Sequence, residues 1–245
     1  VFLIGKGDFM EIQYVGDPKL GIILYKGVLP KELGLVERLE TTIGESSTPP
    51  FMWAEAMVGD QVKMPEYRDC VDCKISPKHL ENIPQGFSEM KKIYEDTEVR
   101  LRECLNDYER RYNIKMDFME AINYVKYEPG QHFNIHSDHG FSYTCTLSSI
   151  MYLNDGYEGG ELWFPYFSFK FIPECGDVLF FPSTFIYAHA SMKVTSGVKY
   201  SAVTMFDWND RAHKYGGYGL NSDGSQVISA DGIGTRDNPG TLTQY

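Results

Sequence analysis

The hydrophobic rhythm of this chain changes about halfway along. Residues 20–28 (LGIILYKGV) are a short apolar run that reads as a strand ending at Leu29-Pro30. Pro30 is placed to open a helix through about residue 42, with Leu33, Leu35, Val36 and Leu39 on one face. Residues 45–66 are polar and dotted with proline, and predict a long loop; residues 67–75 predict a strand. The clearest helix runs from about 87 to 112, where Met90, Tyr94, Thr97, Leu101, Leu105, Tyr108 and Tyr112 recur at spacings of three and four. Its other face is rich in Lys, Glu and Arg and reads as solvated surface. From 117 to 208 short β-branched and aromatic runs (INYVKY, SSIMYL, ELWFPY, VLFF, KYSAVTMFDW) alternate with Gly/Pro/Asn/Asp turns. That period predicts an antiparallel sandwich or barrel. Residues 209–245, rich in Gly, Ser, Asn and Asp, predict an irregular tail. The expected organisation is one α+β, mainly β domain over 1–245: supporting strands and helices in 10–116, a β core in 117–208, and the tail.

Composition narrows the class. With 245 residues the chain is long enough for one large core, and its net charge of −11 argues against a broad nucleic-acid surface. No apolar stretch approaches the length of a membrane-spanning helix. Val1-Phe2-Leu3-Ile4 is too short for a signal-peptide core, and Met10 is a candidate start, with residues 1–9 upstream sequence. An odd count of five cysteines, with no signal peptide, makes a reducing cytosol the expected compartment. Cys70-Val71-Asp72-Cys73 has CxxC spacing, but no second pair follows and the Val/Cys/Ile alternation reads as a strand.

The candidate chemistry lies in the β-rich half. His136 and Asp138 stand two apart in an extended segment, where i and i+2 share a strand face. His189 sits in another strand-like stretch and could supply a third ligand from across the barrel. Two histidines and one carboxylate form the facial set that holds non-haem Fe(II) with open positions; zinc accepts the same ligands. His132 and His139 compete as ligands, while His79 and His213 lie in loop-like contexts and read as surface residues. Lys199, ten residues beyond His189, suggests an anion anchor beside the metal.

A larger pattern surrounds these residues. Tyr127-Glu128-Pro129-Gly130-Gln131-His132-Phe133-Asn134-Ile135-His136-Ser137-Asp138 fits YxxGxxFxxHxD. Tyr152-Leu153-Asn154-Asp155, Glu158-Gly159-Gly160-Glu161-Leu162-Trp163-Phe164-Pro165 and Pro173-Glu174-Cys175-Gly176-Asp177-Val178-Leu179-Phe180 follow, before His189 and Gly197-Val198-Lys199. In order and spacing, residues of about 120–208 resemble the 2-oxoglutarate/Fe(II) dioxygenases of the prolyl 4-hydroxylase type.

The resemblance implies a double-stranded β-helix (jelly-roll) core buttressed by the N-terminal helices. It implies His136, Asp138 and His189 as Fe(II) ligands, Lys199 as the partner of the distal carboxylate of 2-oxoglutarate, and Tyr127 as a hydrogen-bond donor to that cosubstrate. Ser148 aligns where relatives carry Thr and could offer a hydroxyl nearby. Cys145 stands where many relatives have Arg, and Tyr200 where they often have Trp. Gly159-Gly160 would form the turn that carries a strand past the barrel mouth, and Tyr124, Trp163, Phe164, Phe181 and Tyr187 could line the site. The implied activity is O₂-dependent hydroxylation, with ascorbate as reductant, of a prolyl residue in a peptide or protein. The same chemistry on a free amino acid, small molecule or other side chain is an alternative, as is a non-catalytic jelly-roll binding protein. Neither a nucleic acid nor a membrane is expected as partner. The loop at 45–66 and the tail after 209 are where substrate-recognition lids would sit.

Overall fold

The computed structural model describes residues 10–58, 62–140, 143–210 and 213. In chain order the elements are β1 (Ile12–Tyr14), β2 (Ile23–Tyr25), α1 (Leu35–Ile43), β3 (Ala54–Glu55), β4 (Arg68–Asp69), β5 (Val71–Ile75), α2 (Ser88–Tyr112), β6 (Phe118–Met119), β7 (Ile122–Tyr127), β8 (His132–His136), β9 (Leu147–Tyr152), β10 (Glu158–Gly159), β11 (Leu162–Phe164), β12 (Phe169–Phe171), β13 (Val178–Pro182), β14 (His189–Ser191), β15 (Val194–Ser196) and β16 (Lys199–Asp207). Nine strands form a large antiparallel sheet in the order β1-β2-β13-β9-β16-β7-β5-β3, with β6 paired to β16. A smaller sheet runs β12-β11-β14-β8-β4, and β10 pairs with β15. The two main sheets face each other as a double-stranded β-helix.

Side-chain alternation assigns each strand of the large sheet two jobs. In β9, Leu147 and Met151 join the cluster packed on the helices, while Ile150 and Tyr152 fill the space between the sheets. β13 divides the same way: Val178 and Phe180 go to the helix side, Leu179 and Phe181 to the interior. The interior is completed from the small sheet by Leu162 and Phe164. Each fully buried apolar side chain contributes about 1.5–3 kcal/mol relative to exposure, so both layers hold the barrel shut.

The helices cover the outer face of the large sheet. α2 buries Met90, Ile93, Tyr94, Thr97, Leu101, Cys104, Leu105 and Tyr108, a stripe at helical spacing, and ends at Asn113 in the left-handed conformation (φ 52°). Its polar ring atoms tie it to the sheet: Tyr108 Oη donates to the Gly21 carbonyl at 2.8 Å and Tyr25 Oη to Asp107 at 3.1 Å. α1 packs Leu35, Leu39 and Ile43 into the same cluster.

Two expectations need adjustment. The helix foreseen from Pro30 is a single turn at Lys31–Leu33, closed by Gly34 at φ 57°, before α1 starts at Leu35. The strand foreseen at 67–75 is two strands: β4 pairs with β8 in the small sheet, and β5 with β7 in the large one. Residue 70 is therefore a corner where the chain changes sheets. Cys70 packs with Val125 and Tyr127 whereas Cys73 packs toward the helices, so the CxxC thiols do not converge. Both are free. The described residues of 45–66 form a loop apart from the two-residue β3. The tail foreseen from 209 lies outside the described residues except for 209, 210 and 213. Among the described residues no helix is long and apolar enough to cross a membrane.

Candidate active site

His136 closes β8 and His189 opens β14, and the two are direct register partners across the small sheet. Asp138 lies just past the end of β8 rather than on it as the i, i+2 argument assumed, because the chain turns away after His136. The turn still delivers its carboxylate: Oδ1 lies 3.5 Å from His136 Nε2 and 4.0 Å from His189 Nε2. One ligand atom from each residue falls within 4.8 Å of the others. Each imidazole is locked by its other nitrogen. His136 Nδ1 is 2.8 Å from the Asn134 carbonyl and His189 Nδ1 is 3.1 Å from the Tyr187 carbonyl. A carbonyl only accepts, so Nδ1 carries a proton and Nε2 is the nitrogen turned toward the shared site. Burial pulls the His189 pKa down to about 4, against the opposing pull of Asp138, so the ring is neutral near pH 7. Burial by itself would raise the Asp138 pKa, but His189, His136 and a hydrogen bond from Ser148 outweigh it and hold the carboxyl ionised. A neutral His189 and an ionised Asp138 beside His136 suit an N,N,O site for divalent iron.

The competing histidines are occupied elsewhere. His139 Nδ1 sits 2.7 Å from the Cys145 carbonyl and ties down the loop after Asp138. His132 faces the Glu66 carbonyl at 3.4 Å, and His79 bonds the backbone of Ser76. His213 is not a surface residue: it stacks on Phe118 at 3.8 Å and lies 3.2 Å from Asp207.

Deeper between the sheets is Lys199, 2% exposed, in β16 opposite Tyr127 of β7. Its Nζ donates to the Gly160 carbonyl at 2.7 Å and Ser191 Oγ at 2.9 Å. Among the described residues no carboxylate lies within salt-bridge distance of it. The rings of Tyr127, Tyr152 and Tyr157 stand 5.4, 5.6 and 6.0 Å from Nζ. Desolvation pulls the ammonium pKa down to about 7, with Glu161 opposing. The Tyr152 and Tyr157 hydroxyls are buried without a hydrogen-bond partner. An ammonium with no counter-ion beside two unpaired hydroxyls is a seat for an anion. Gly159 and Gly160 sit at φ 71° and 64° and bring the chain close: a Cβ on Gly160 would lie 3.1 Å from Lys199 Cδ.

The remaining sequence candidates separate by strand face. Ser148 is buried, with Oγ 2.8 Å from Ser183 Oγ and a hydrogen bond to Asp138. Phe164 and Phe181 flank His189 at 5.5 and 4.8 Å. Tyr124 belongs to the opposite, helix-facing side of β7, where its hydroxyl reaches Thr97 at 3.3 Å, so it does not line the site. Trp163 alternates outward between Leu162 and Phe164. Tyr187 donates to the Leu20 carbonyl at 2.7 Å and its ring lies 5.2 Å from that of Phe167. Cys145 is buried, and Tyr200 lies on the helix side bonded to Glu40 at 2.8 Å.

One cavity of about 410 Å³ joins the two ends, reached by His136, Asp138 and His189 as well as by Tyr127, Tyr152 and Lys199. Arg68 and Asn123 line it too and were not foreseen. Strand parity could have found Asn123, which shares a face with Val125 and Tyr127. Nothing in the sequence marks Arg68, since its place depends on the change of sheet at residue 70.

Comparison with known proteins agrees with this architecture. Residues 122–207 match the family model of the 2OG-Fe(II) oxygenase superfamily. A curated protein of Acanthamoeba polyphaga mimivirus, named "Putative prolyl 4-hydroxylase", is 33% identical over 117 residues, which cover 40% of this chain and 48% of that protein. The match thus spans about half the length of that relative. Among solved structures, a prolyl hydroxylase from Trichoplax adhaerens, in complex with a hypoxia inducible factor peptide fragment, superposes with a TM-score of 0.60 at 15% identity, covering 78% of this chain and 84% of that one. A Pseudomonas putida prolyl-4-hydroxylase gives 0.57 at 16% identity, covering 78% and 95%. The viral collagen prolyl hydroxylase of Paramecium Bursaria Chlorella virus-1, in its 2OG complex, gives 0.53 at 18% identity, covering 76% and 94%. These likenesses establish the jelly-roll fold.

Proposed function

We propose that this protein is a 2-oxoglutarate- and Fe(II)-dependent hydroxylase acting on a prolyl residue of a peptide or protein. The observation that carries the reading is one cavity holding the convergent His136, Asp138 and His189 ligand atoms at one end and, at the other, a buried Lys199 with no carboxylate in salt-bridge range among the described residues. The donor set fits iron, because two imidazole nitrogens and one carboxylate oxygen converge and each ring is oriented through its Nδ1. The Lys199 end fits a carboxylate, because desolvation leaves its ammonium unsatisfied.

When bound, iron and 2-oxoglutarate together supply O₂ activation and the oxidising power to hydroxylate an unactivated C–H bond. The chain's own residues do the placing. His136, Asp138 and His189 would hold the metal on one side and leave the opposite side open. Lys199, with Tyr127, Tyr152 and Tyr157 around it, would receive the distal carboxylate and fix the cosubstrate's reach toward the ligands. Ser148 positions the Asp138 carboxylate. Phe164 and Phe181 exclude water behind His189. No side chain is required to carry a proton in the C–H step.

The prolyl preference rests on the names of the similar proteins. The five free cysteines support a reducing, cytoplasmic setting, and α1 and α2 packed on the core sheet support a single folding unit. The test is anaerobic titration with Fe(II) and 2-oxoglutarate, reading the visible charge-transfer band of the chelate beside a His136→Ala control. A band present in the wild type and absent in the variant is expected. Competent metal loading without a band overturns the reading.

A further inference from the structure

The cavity wall holds a second cation whose situation is the opposite of that of Lys199. Arg68 NH2 pairs with Asp72 Oδ2 at 2.9 Å, so its charge is already neutralised. Asn123 Nδ2 donates to the same Asp72 oxygen at 3.1 Å. A carboxylate only accepts, so this contact fixes the Asn123 amide with Nδ2 toward Asp72 and Oδ1 turned away. The guanidinium is held further by NH1 on the Met57 carbonyl at 2.8 Å and by stacking on Phe133 at 4.9 Å, the ring that lies against His136 at 3.5 Å.

What remains is one unused donor and one unused acceptor. Arg68 Nε and Asn123 Oδ1 are both buried without a hydrogen-bond partner, and both residues line the metal cavity. The Cys70 thiol lies near the guanidinium, but a neutral thiol is a weak acceptor. We propose that Arg68 and Asn123, clamped together by Asp72, form a subsite that reads the backbone of one substrate residue. Nε donates to the carbonyl of one peptide unit and Oδ1 accepts from the N–H of the unit before it, the two groups of one extended residue that point the same way.

The chemistry selects against other occupants. A carboxylate would find no surplus positive charge, because Asp72 cancels Arg68, and would meet the lone pairs of Asn123 Oδ1. An ester or ketone would satisfy Nε and leave Oδ1 unpaired. A residue within a peptide chain satisfies both, taking its place as the two side chains turn about their Asp72 contacts. Lys199 thus takes the anion and the Arg68–Asn123 pair the neutral peptide group, which separates cosubstrate from substrate within one cavity. This inference rests on the proposed hydroxylase reading, and deepens it by favouring a peptide over a free amino acid.

The test uses ¹⁵N-labelled full chain with Fe(II) replaced by Zn(II), titrated with N-acetyl-Ala-Pro-Ala N-methylamide and, separately, with N-acetyl-Ala-Pro bearing a free carboxylate. The readout is the Asn123 side-chain amide resonance, assigned by its loss in Asn123→Ser. The blocked peptide should shift that resonance, and the free acid should bind at least about tenfold more weakly. Arg68→Lys, which keeps the charge for Asp72 and loses the second donor, should weaken the blocked peptide about tenfold. An unmoved Asn123 resonance, equal binding of the acid, or full affinity in Arg68→Lys would overturn the proposal. Calorimetric binding of 2-oxoglutarate to the same sample reports the Lys199 end independently. Its failure would count against the hydroxylase reading and leave the amide subsite to be judged on the resonance.

Discussion

Replacing Lys199 by Met should stabilise the protein increasingly as pH falls, while destroying its capacity for the cosubstrate. Lys199 is 2% exposed and desolvation moves its pKa from 10.5 to about 7. The unfolded chain binds the proton with the ordinary pKa, so between these two values the unfolded state holds more protons than the folded one. Stability is therefore lost as pH drops through this window, and the penalty is complete below about pH 7. At about 1.4 kcal/mol per unit, the shift amounts to about 4–5 kcal/mol at pH 6, about 3 at pH 8 and almost nothing at pH 10.5. Met fills similar volume and has no charge to desolvate. It also deprives the Gly160 carbonyl and Ser191 hydroxyl of their donor, a loss of about 1–3 kcal/mol that does not vary with pH. Urea unfolding of metal-free wild type and Lys199→Met from pH 6 to 10 isolates the term, since other titrating groups cancel in the difference. The variant should gain about 4 kcal/mol on the wild type across that range. A difference that stays flat within about 1 kcal/mol would refute the reasoning, because it would mean that Lys199 is solvated or already has a counter-ion. The same linkage makes cosubstrate binding take up a proton above pH 7, visible as buffer-dependent calorimetric enthalpies that vanish in Lys199→Met.

Three further outcomes follow from particular contacts. Gly160→Ala must adopt φ 64° and place its Cβ against Lys199 and Val194, so it should cost about 1–3 kcal/mol in urea unfolding and weaken 2-oxoglutarate in calorimetry. Ser148→Ala removes a hydrogen bond to Asp138 and should weaken Fe(II) roughly tenfold in a competitive-chelator titration, with little change in 2-oxoglutarate affinity once iron is saturating. Leu101→Ala, in the buried stripe of α2 and outside the cavity, should cost about 2–5 kcal/mol in denaturant while the charge-transfer band of the native protein is retained.

Much of the proposed site was legible in the chain because its chemistry is written in short-range spacing. His136, Ser137 and Asp138 are covalent neighbours, so any local geometry keeps the two ligands together, and it did so even though Asp138 falls beyond the strand. The 25-residue helix α2 was legible for a similar reason, since a stripe at three and four residues is a local property of one element. The β-rich half announced itself by its period and turn residues, and strand β7 lies where its INYVKY pattern placed it.

What only tertiary structure decided were relations between strands distant in sequence. Alternation says that Tyr124 and Tyr127 point to opposite faces, but not which face meets the metal; the pairing of β7 with β16 settles it by setting Tyr127 opposite Lys199. The local pattern of residues 67–75 is a single strand, yet the chain changes sheets at Cys70, because Arg68 and Asp69 pair with β8 while Val71–Ile75 pair with β7. That exchange puts Arg68 beside Phe133 and Asn123 on a shared Asp72 oxygen. No periodicity encodes it, because the energy that selects it comes from burying two separate sheet faces at once. Residue spacing thus carries the proposed ligands and the proposed anchor, and long-range packing decides which neutral and charged groups they share a cavity with.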